Sequence, residues 1–199
     1  MDVSMLEQEL ACNDDHSAQH RDLLGKIRGS EVDSADKLRL GLLYALRYED
    51  SADIGALKRE LVNGGVPAAK VQLVDLILQH AGKARRAPGL YGDGSLVSRM
   101  AKAASQGLAG VENVYTQHVP LLIHTLSAAL KGKLRESAFP GVGAIPTAPP
   151  RSIVVFVVGG VTYEEGTKVA EMNSGGIRVV LGGTMVHNSN TFLRELASL

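Results

Sequence analysis

The chain has 199 residues, 45% hydrophobic and 21% charged, and its Lys+Arg and Asp+Glu counts are both 21, so the formal net charge is zero. A chain of this length forms one large domain or two small ones and can bury roughly 70% of its unfolded surface without staples. The charge balance argues against nucleic acid as the main partner, which would need surplus cations on one face, and with 4% aromatics and no tryptophan there is no stacking platform for bases or sugars.

The single cysteine, Cys12, allows no intramolecular disulfide and no Cys-x-x-Cys metal motif, and reads as a small structural thiol. The amino terminus, beginning Met1-Asp2-Val3-Ser4-Met5-Leu6-Glu7, is acidic and amphipathic, unlike a secretory signal. The longest apolar run, Ile153 to Val158, is far shorter than the ~20 residues that span a bilayer. These features predict a soluble cytosolic chain whose membrane association is indirect, through a partner.

Residues 1–137 read as helices joined by short turns. Ser4-x-x-Glu7 has the spacing of a capping box, in which hydroxyl and carboxylate satisfy the free amides of a helix start. Residues 33–48 carry Leu38, Leu42, Ala45 and Leu46 on one helical face, with Leu43 beside them. A helix over residues 53–62 aligns Ile54, Leu57 and Leu61 and stops at Asn63-Gly64-Gly65, a left-handed C-cap sequence. Pro67 suits the first turn of a third helix, with Val71, Val74, Ile77 and Leu78 at three- and four-residue intervals and Gly82 at its end. Residues 83–94, the most basic stretch (Lys83, Arg85, Arg86), have loop chemistry and read as a solvated loop; the competing reading is contact with acidic lipid or an acidic partner. Further helices are expected at residues 95–106 and 120–130, the latter with Leu122, Leu126 and Leu130 four apart.

Residues 138–151 hold four of the seven prolines and form a linker or surface loop. After them the period changes. Residues 153–158 are continuously apolar and mostly β-branched, which predicts a strand covered on both faces. Gly159-Gly160-Val161 turns the chain, and Thr162-x-x-Glu165 opens a helix to about Met172, closed by Asn173-Ser174-Gly175-Gly176. A second buried-type strand follows at residues 177–181, then the Gly182-Gly183 turn, then a helix from Asn188 or Ser189 carrying Phe192, Leu193 and Leu196. The fold class is therefore α/β, a mainly helical amino-terminal part followed by a β-α-β-α unit. Two parallel strands do not make a sheet by themselves, because each needs a neighbour and both faces need cover. The strands are expected to belong to a larger sheet, and the chain to be a piece of a longer protein.

The Gly-rich turns invite comparison with phosphate cradles. Gly159-Gly160-Val161-Thr162-Tyr163-Glu164 is not Gly-x-Gly-x-x-Gly, and neither strand is followed by Gly-Lys-Ser/Thr. Glu164 and Glu165 would occupy the positive end of the helix dipole and repel phosphate. The turns therefore read as scaffold, with a small nucleotide-binding α/β enzyme using Gly159-Gly160 and Gly182-Gly183 as the alternative. His16 and His20 have helical zinc spacing but no third ligand nearby, and read as a solvated helix end. His187-Asn188 follows a strand without a nucleophile or carboxylate partner, and Asn188 is explained as a cap. No catalytic, cofactor-binding or metal-binding residue is assigned.

Four segments resemble the SM family, the Sec/Munc-type regulators of SNARE assembly, and most closely its vacuolar-protein-sorting branch at the trans-Golgi and endosomes. They are the first twelve residues; Leu40-Gly41-Leu42-Leu43-Tyr44-Ala45-Leu46-Arg47-Tyr48-Glu49; Gly110-Val111-Glu112-Asn113-Val114-Tyr115-Thr116-Gln117-His118; and Gly159 to Glu165 with Val180 to Asn188. The resemblance extends over nearly the whole chain but only the last third of family members. It implies that residues 1–137 are the helical second half of the third domain, residues 138–151 a linker, and residues 152–199 returning strands of the second domain's sheet. It also implies a non-enzymatic, peripheral role at Golgi and endosomal membranes, through binding of a syntaxin-type SNARE and SNARE complexes. Because the SNARE contacts of the family lie in segments this chain lacks, no partner-binding residue follows from the resemblance.

Overall fold

A computed structural model of the chain describes residues 2–86, 118–143, 150–176 and 178–199. The helix expected at residues 95–106, the Gly110 to Gln117 segment and the middle of the proline-rich stretch lie outside the described residues. Two compact units are present, one of residues 1–118 with 193–199, the other of residues 119–192.

The first unit is helical: α1 (Val3–Cys12), α2 (His16–Arg28), α3 (Ser34–Arg47), α4 (Ile54–Asn63), α5 (Ala68–Val71) and α6 (Leu73–Ala81). Aspartates start the first three. Asp2 accepts from the Met5 amide at 2.9 Å, Asp15 from Ala18 at 3.0 Å, and Asp33 from both Ala35 and Asp36 at 2.8 Å. The Ser4-x-x-Glu7 capping box expected for α1 is therefore not its cap: the helix begins at Val3, and the Asp2 carboxylate takes the amide one turn in. The end of α4 is a Schellman motif, as Asn63-Gly64-Gly65 predicts. The Val66 amide reaches the Leu61 carbonyl at 2.9 Å and the Gly65 amide the Val62 carbonyl at 3.0 Å, with Gly65 at φ +90°. The third predicted helix is interrupted at Gln72, giving α5 and α6, although Val71, Val74 and Ile77 are buried as their spacing requires.

Helix α3 sits at the centre. Leu38, Leu42 and Ala45 face inward as predicted, and so do Leu40, Gly41 and Tyr44, so the helix is buried around most of its circumference. This wide burial lets it touch α1, α2, α4 and α6 at once. Gly41 permits the closest of these approaches, since a Cβ there would lie 2.9 Å from Leu61 Cδ1. Lys37, nearly buried, donates from Nζ to the Gly64 carbonyl at 2.8 Å and so caps the carboxyl end of α4. Leu193 and Leu196 also join this core.

The second unit contains α7 (Leu121–Leu130), β1 (Ser152–Val157), β2 (Val161–Thr162), α8 (Tyr163–Ser174), β3 (Arg178–Gly183), β4 (Val186–His187) and the first half of α9 (Ser189–Leu196). β1 pairs in parallel with β3, Ile153 opposite Val179 and Val155 opposite Leu181, and the two-residue β2 and β4 pair in parallel beside them. The expected β-α-β-α order is present. Helix α8 opens with the predicted capping box: Glu165 N–H donates to Thr162 Oγ1 at 3.2 Å, and the Thr162 amide donates to Glu165 Oε2 at 2.7 Å. The helix runs two residues past Met172, and Asn173 then fixes the start of β3 by donating to the Val179 carbonyl and accepting from its amide.

Candidate interaction surface

The β1–β3 pair has two different faces. Ile153, Val155, Val179 and Leu181 point into a small core with Val169 and Met172 of α8 and Leu122, Ile123 and Leu126 of α7. On the other side Val154 is 78% exposed, Phe156 66% and Val180 47%, and Val158 just beyond β1 is 84% exposed. The described residues cover one face only, in keeping with strands that belong to a sheet incomplete in this chain. A contiguous exposed patch of β-branched and aromatic side chains on a two-stranded sheet is an interaction or self-association surface.

The glycine turns shape this unit rather than cradle a ligand. Gly159 and Gly160 have φ of +110° and +103°, and a Cβ on Gly160 would meet the His187 ring at 2.6 Å. The turn is tight because His187 packs against it, almost buried, with Nε2 donating to the Gly159 carbonyl at 3.2 Å and Nδ1 lying 3.3 Å from Thr191 Oγ1. A Cβ on Gly183 would press on Val161 at 3.1 Å and the Val157 carbonyl at 3.2 Å. At the start of α8, where an anion would bind, the amide of Thr162 is already taken by the Glu165 carboxylate. Asn188 caps α9, accepting from the Thr191 amide at 2.9 Å.

His16 and His20 are not a solvated helix end. Their rings stack at 6.0 Å, both stack on Tyr44, and His16 Nε2 shares a 2.6 Å hydrogen bond with the Tyr44 hydroxyl. Tyr48 completes the cluster and donates to Gln19 Oε1 at 2.6 Å, while Gln19 Nε2 donates to the Glu9 carbonyl at 2.8 Å. The arrangement ties α1 and α2 to α3, and among the described residues no group of three metal-ligating side chains forms. Burial, with the Asp53 carboxylate nearby, pushes the Tyr44 phenol up to about 12. A folded-state value above the ordinary phenol value near 10 means that the native state holds the proton more tightly. This contribution to stability is full below pH 10 and is lost as the pH rises through about 12. Phenolate absorbance should show Tyr44→Phe deleting the latest tyrosine step; deletion of a step near the ordinary value would contradict the placement.

The basic segment is also more pinned than its sequence predicts. Lys83 Nζ pairs with Asp50, and its amide donates to both Glu49 carboxylate oxygens at 2.9 and 3.0 Å. Arg86, only 13% exposed at its side chain, caps α3 and α6 through the Leu46 and Ala81 carbonyls at 3.1 and 3.0 Å. Two of the three cations expected in a solvated loop are therefore neutralised or spent as caps, and only Arg85 among them is left for an acidic surface. Burial and the neighbouring Glu9 raise the Cys12 thiol above its ordinary value, which suits a structural thiol rather than a nucleophile. No helix among the described residues is long and apolar enough to cross a membrane.

Comparison with known proteins gives this framework a context. The sequence profile of the Sec1 family matches residues 1–195. The vacuolar protein sorting-associated protein 45 of Dictyostelium discoideum is 40% identical over 202 residues, covering 100% of this chain and 36% of the relative. Its human counterpart is 41% identical over 201 residues, covering 98% and 35%. A solved structure of the SM protein Vps45 in complex with the Qa SNARE Tlg2 matches at a TM-score of 0.82 and 41% identity, covering 98% of this chain and 34% of that one. The Unc18–syntaxin 1 complex from Monosiga brevicollis, at a TM-score of 0.72 and 16% identity, shares the fold. The chain spans about a third of the length of the curated relatives it matches. With nearly all its residues inside the family profile and 40% identity to these relatives, the chain belongs to the Sec1 family.

Proposed function

We propose that this chain serves a syntaxin-binding regulator of vesicle docking and fusion in protein transport among Golgi, endosome and vacuole. It acts as a binding scaffold and not as an enzyme. The observation that carries this reading is the 41% identity, over 98% of the chain, to an SM protein solved with a Qa SNARE bound. The partners are a syntaxin-type SNARE and SNARE complexes, and membrane association at Golgi and endosomal surfaces is peripheral, through those SNAREs. Residues 1–137 correspond in this reading to the helical second half of the family's third domain, and residues 152–199 to returning strands of its second domain. The open face of β1–β3 then serves as a packing surface for further sheet or helix in the assembled protein, since its apolar pattern suits cover on both sides.

A cell-based exchange tests the proposal. In Dictyostelium cells, the aligned segment of the vacuolar protein sorting-associated protein 45 is replaced by residues 1–199 of this chain. Restored sorting of vacuolar cargo, with the chimera on Golgi or endosomal membranes, is the expected result. A stable, normally abundant chimera that stays diffuse and leaves sorting defective would overturn the reading.

A further inference from the structure

Helices α4, α5 and α6 enclose an open groove of about 600 Å³ on the surface of the helical unit. Each wall is a helical stripe: positions 55, 58, 59 and 62 along α4, and 68, 71, 72 and 75 along α5 and α6. Both follow the i, i+3, i+4, i+7 spacing, which on α4 is a stripe of about two helical turns, roughly 10 Å; the second stripe passes the break at Gln72. Small residues widen it where Gly55 faces outward and Ala68 is exposed, and Val62, 44% exposed, and the almost buried Val71 give it an apolar floor. No buried polar side-chain atom of the described residues lacks a partner. Asn63 and Gln72 also line the groove, both exposed, and its shape and charge are what a partner would read.

The charge is one-sided. The carboxylate of Asp75 is taken by Lys58 at 2.9 Å, and that of Glu60 by Arg28 in a two-pronged pair at 2.9 and 3.0 Å. Arg59 on one wall is exposed, as is Lys70 of α5, which lies outside the lining, and neither makes an ion pair among the described residues. We infer that this groove is a docking site for an acidic amphipathic helix of a partner protein. A small or apolar residue of that helix would sit over Gly55 and Ala68, a second apolar residue against Val62 and Val71, and carboxylates beside Arg59 and Lys70. Anchors at i, i+3, i+4 and i+7 are how amphipathic helices enter grooves, and complementary charge sets orientation and encounter rate.

The probe is a display library of helical peptides about four turns long, selected against the full 199-residue chain. Enrichment of acidic amphipathic peptides is expected, with affinity that falls as salt is raised. Gly55→Leu fills the groove from a helical position where a Cβ meets nothing closer than Arg59 Nη1 at 3.9 Å, and leucine favours helix more than glycine does. It should weaken the selected peptides by about tenfold or more, the scale of losing an interface anchor. Arg59→Glu, at an exposed position, should do the same and invert the preference toward basic peptides. No enrichment, enrichment without acidic residues, or selected peptides that bind both variants as well as the parent would each overturn the inference. So would concentration-dependent self-association that Gly55→Leu abolishes, because the occupant would then be a second copy of this chain.

Discussion

Truncating Leu61 to alanine should lower the stability of the helical unit by about 2–5 kcal/mol, a large part of the 5–15 kcal/mol that holds a typical domain together. Leu61 is fully buried, and its side chain fills the space that Gly41 leaves on α3. The opposite change makes the test specific. Gly41→Ala places a methyl 2.9 Å from Leu61 Cδ1, closer than carbon atoms pack, and overpacking of this kind costs about 1–3 kcal/mol. If the two side chains share one volume, the double variant loses clearly less than the sum of the singles, because the alanine at 41 moves into the cavity left at 61. Denaturant unfolding followed by helical circular dichroism measures all three. Strict additivity would show that α3 and α4 do not meet through these two positions.

The second large effect is expected at the turn after β1. Gly159→Ala and Gly160→Ala both force a side chain into the left-handed region, at a cost of order 1–3 kcal/mol. They differ in surroundings. Nothing lies within 4 Å of a Cβ at 159, whereas one at 160 meets His187 at 2.6 Å and the Met185 carbonyl at 3.0 Å. Gly160→Ala should therefore destabilise the α/β unit by about 2 kcal/mol more than Gly159→Ala, the scale of a core overpacking. It should also displace His187 from the Gly159 carbonyl, seen as a changed imidazole resonance. Equal effects of the two substitutions, with the His187 signal unmoved, would refute the packing role given to this turn.

These contrasts also show which parts of the molecule could be read from sequence. The end of α4 was legible because Asn63-Gly64-Gly65 acts locally: Gly65 takes the positive φ and the amides of 65 and 66 reach back one turn. The capping box of α8 was legible for the same reason. The start of α1 was misread since two local caps competed, and Asp2 wins by accepting the Met5 amide ahead of Ser4. Contacts across long stretches left no local trace. His16 meets Tyr44 across 28 positions, and Lys83 and Arg86 are held by Glu49 and Asp50 more than thirty positions away. The groove beside α4 leaves no signal in any one segment, because it needs α5 and α6 as its second wall. The apolar run of β1 shows the environment that suits it, two covered faces, although the described residues supply one.

The central claim, that these residues complete a syntaxin-binding regulator, is most directly tested by calorimetry. The Dictyostelium relative carrying residues 1–199 in place of its aligned segment is titrated with the soluble part of a Qa SNARE. Because this chain keeps the family framework, the chimera should bind within about tenfold of the unaltered relative, a change of no more than about 1.4 kcal/mol. A chimera that melts cooperatively near the temperature of the parent yet shows no SNARE binding would contradict the claim.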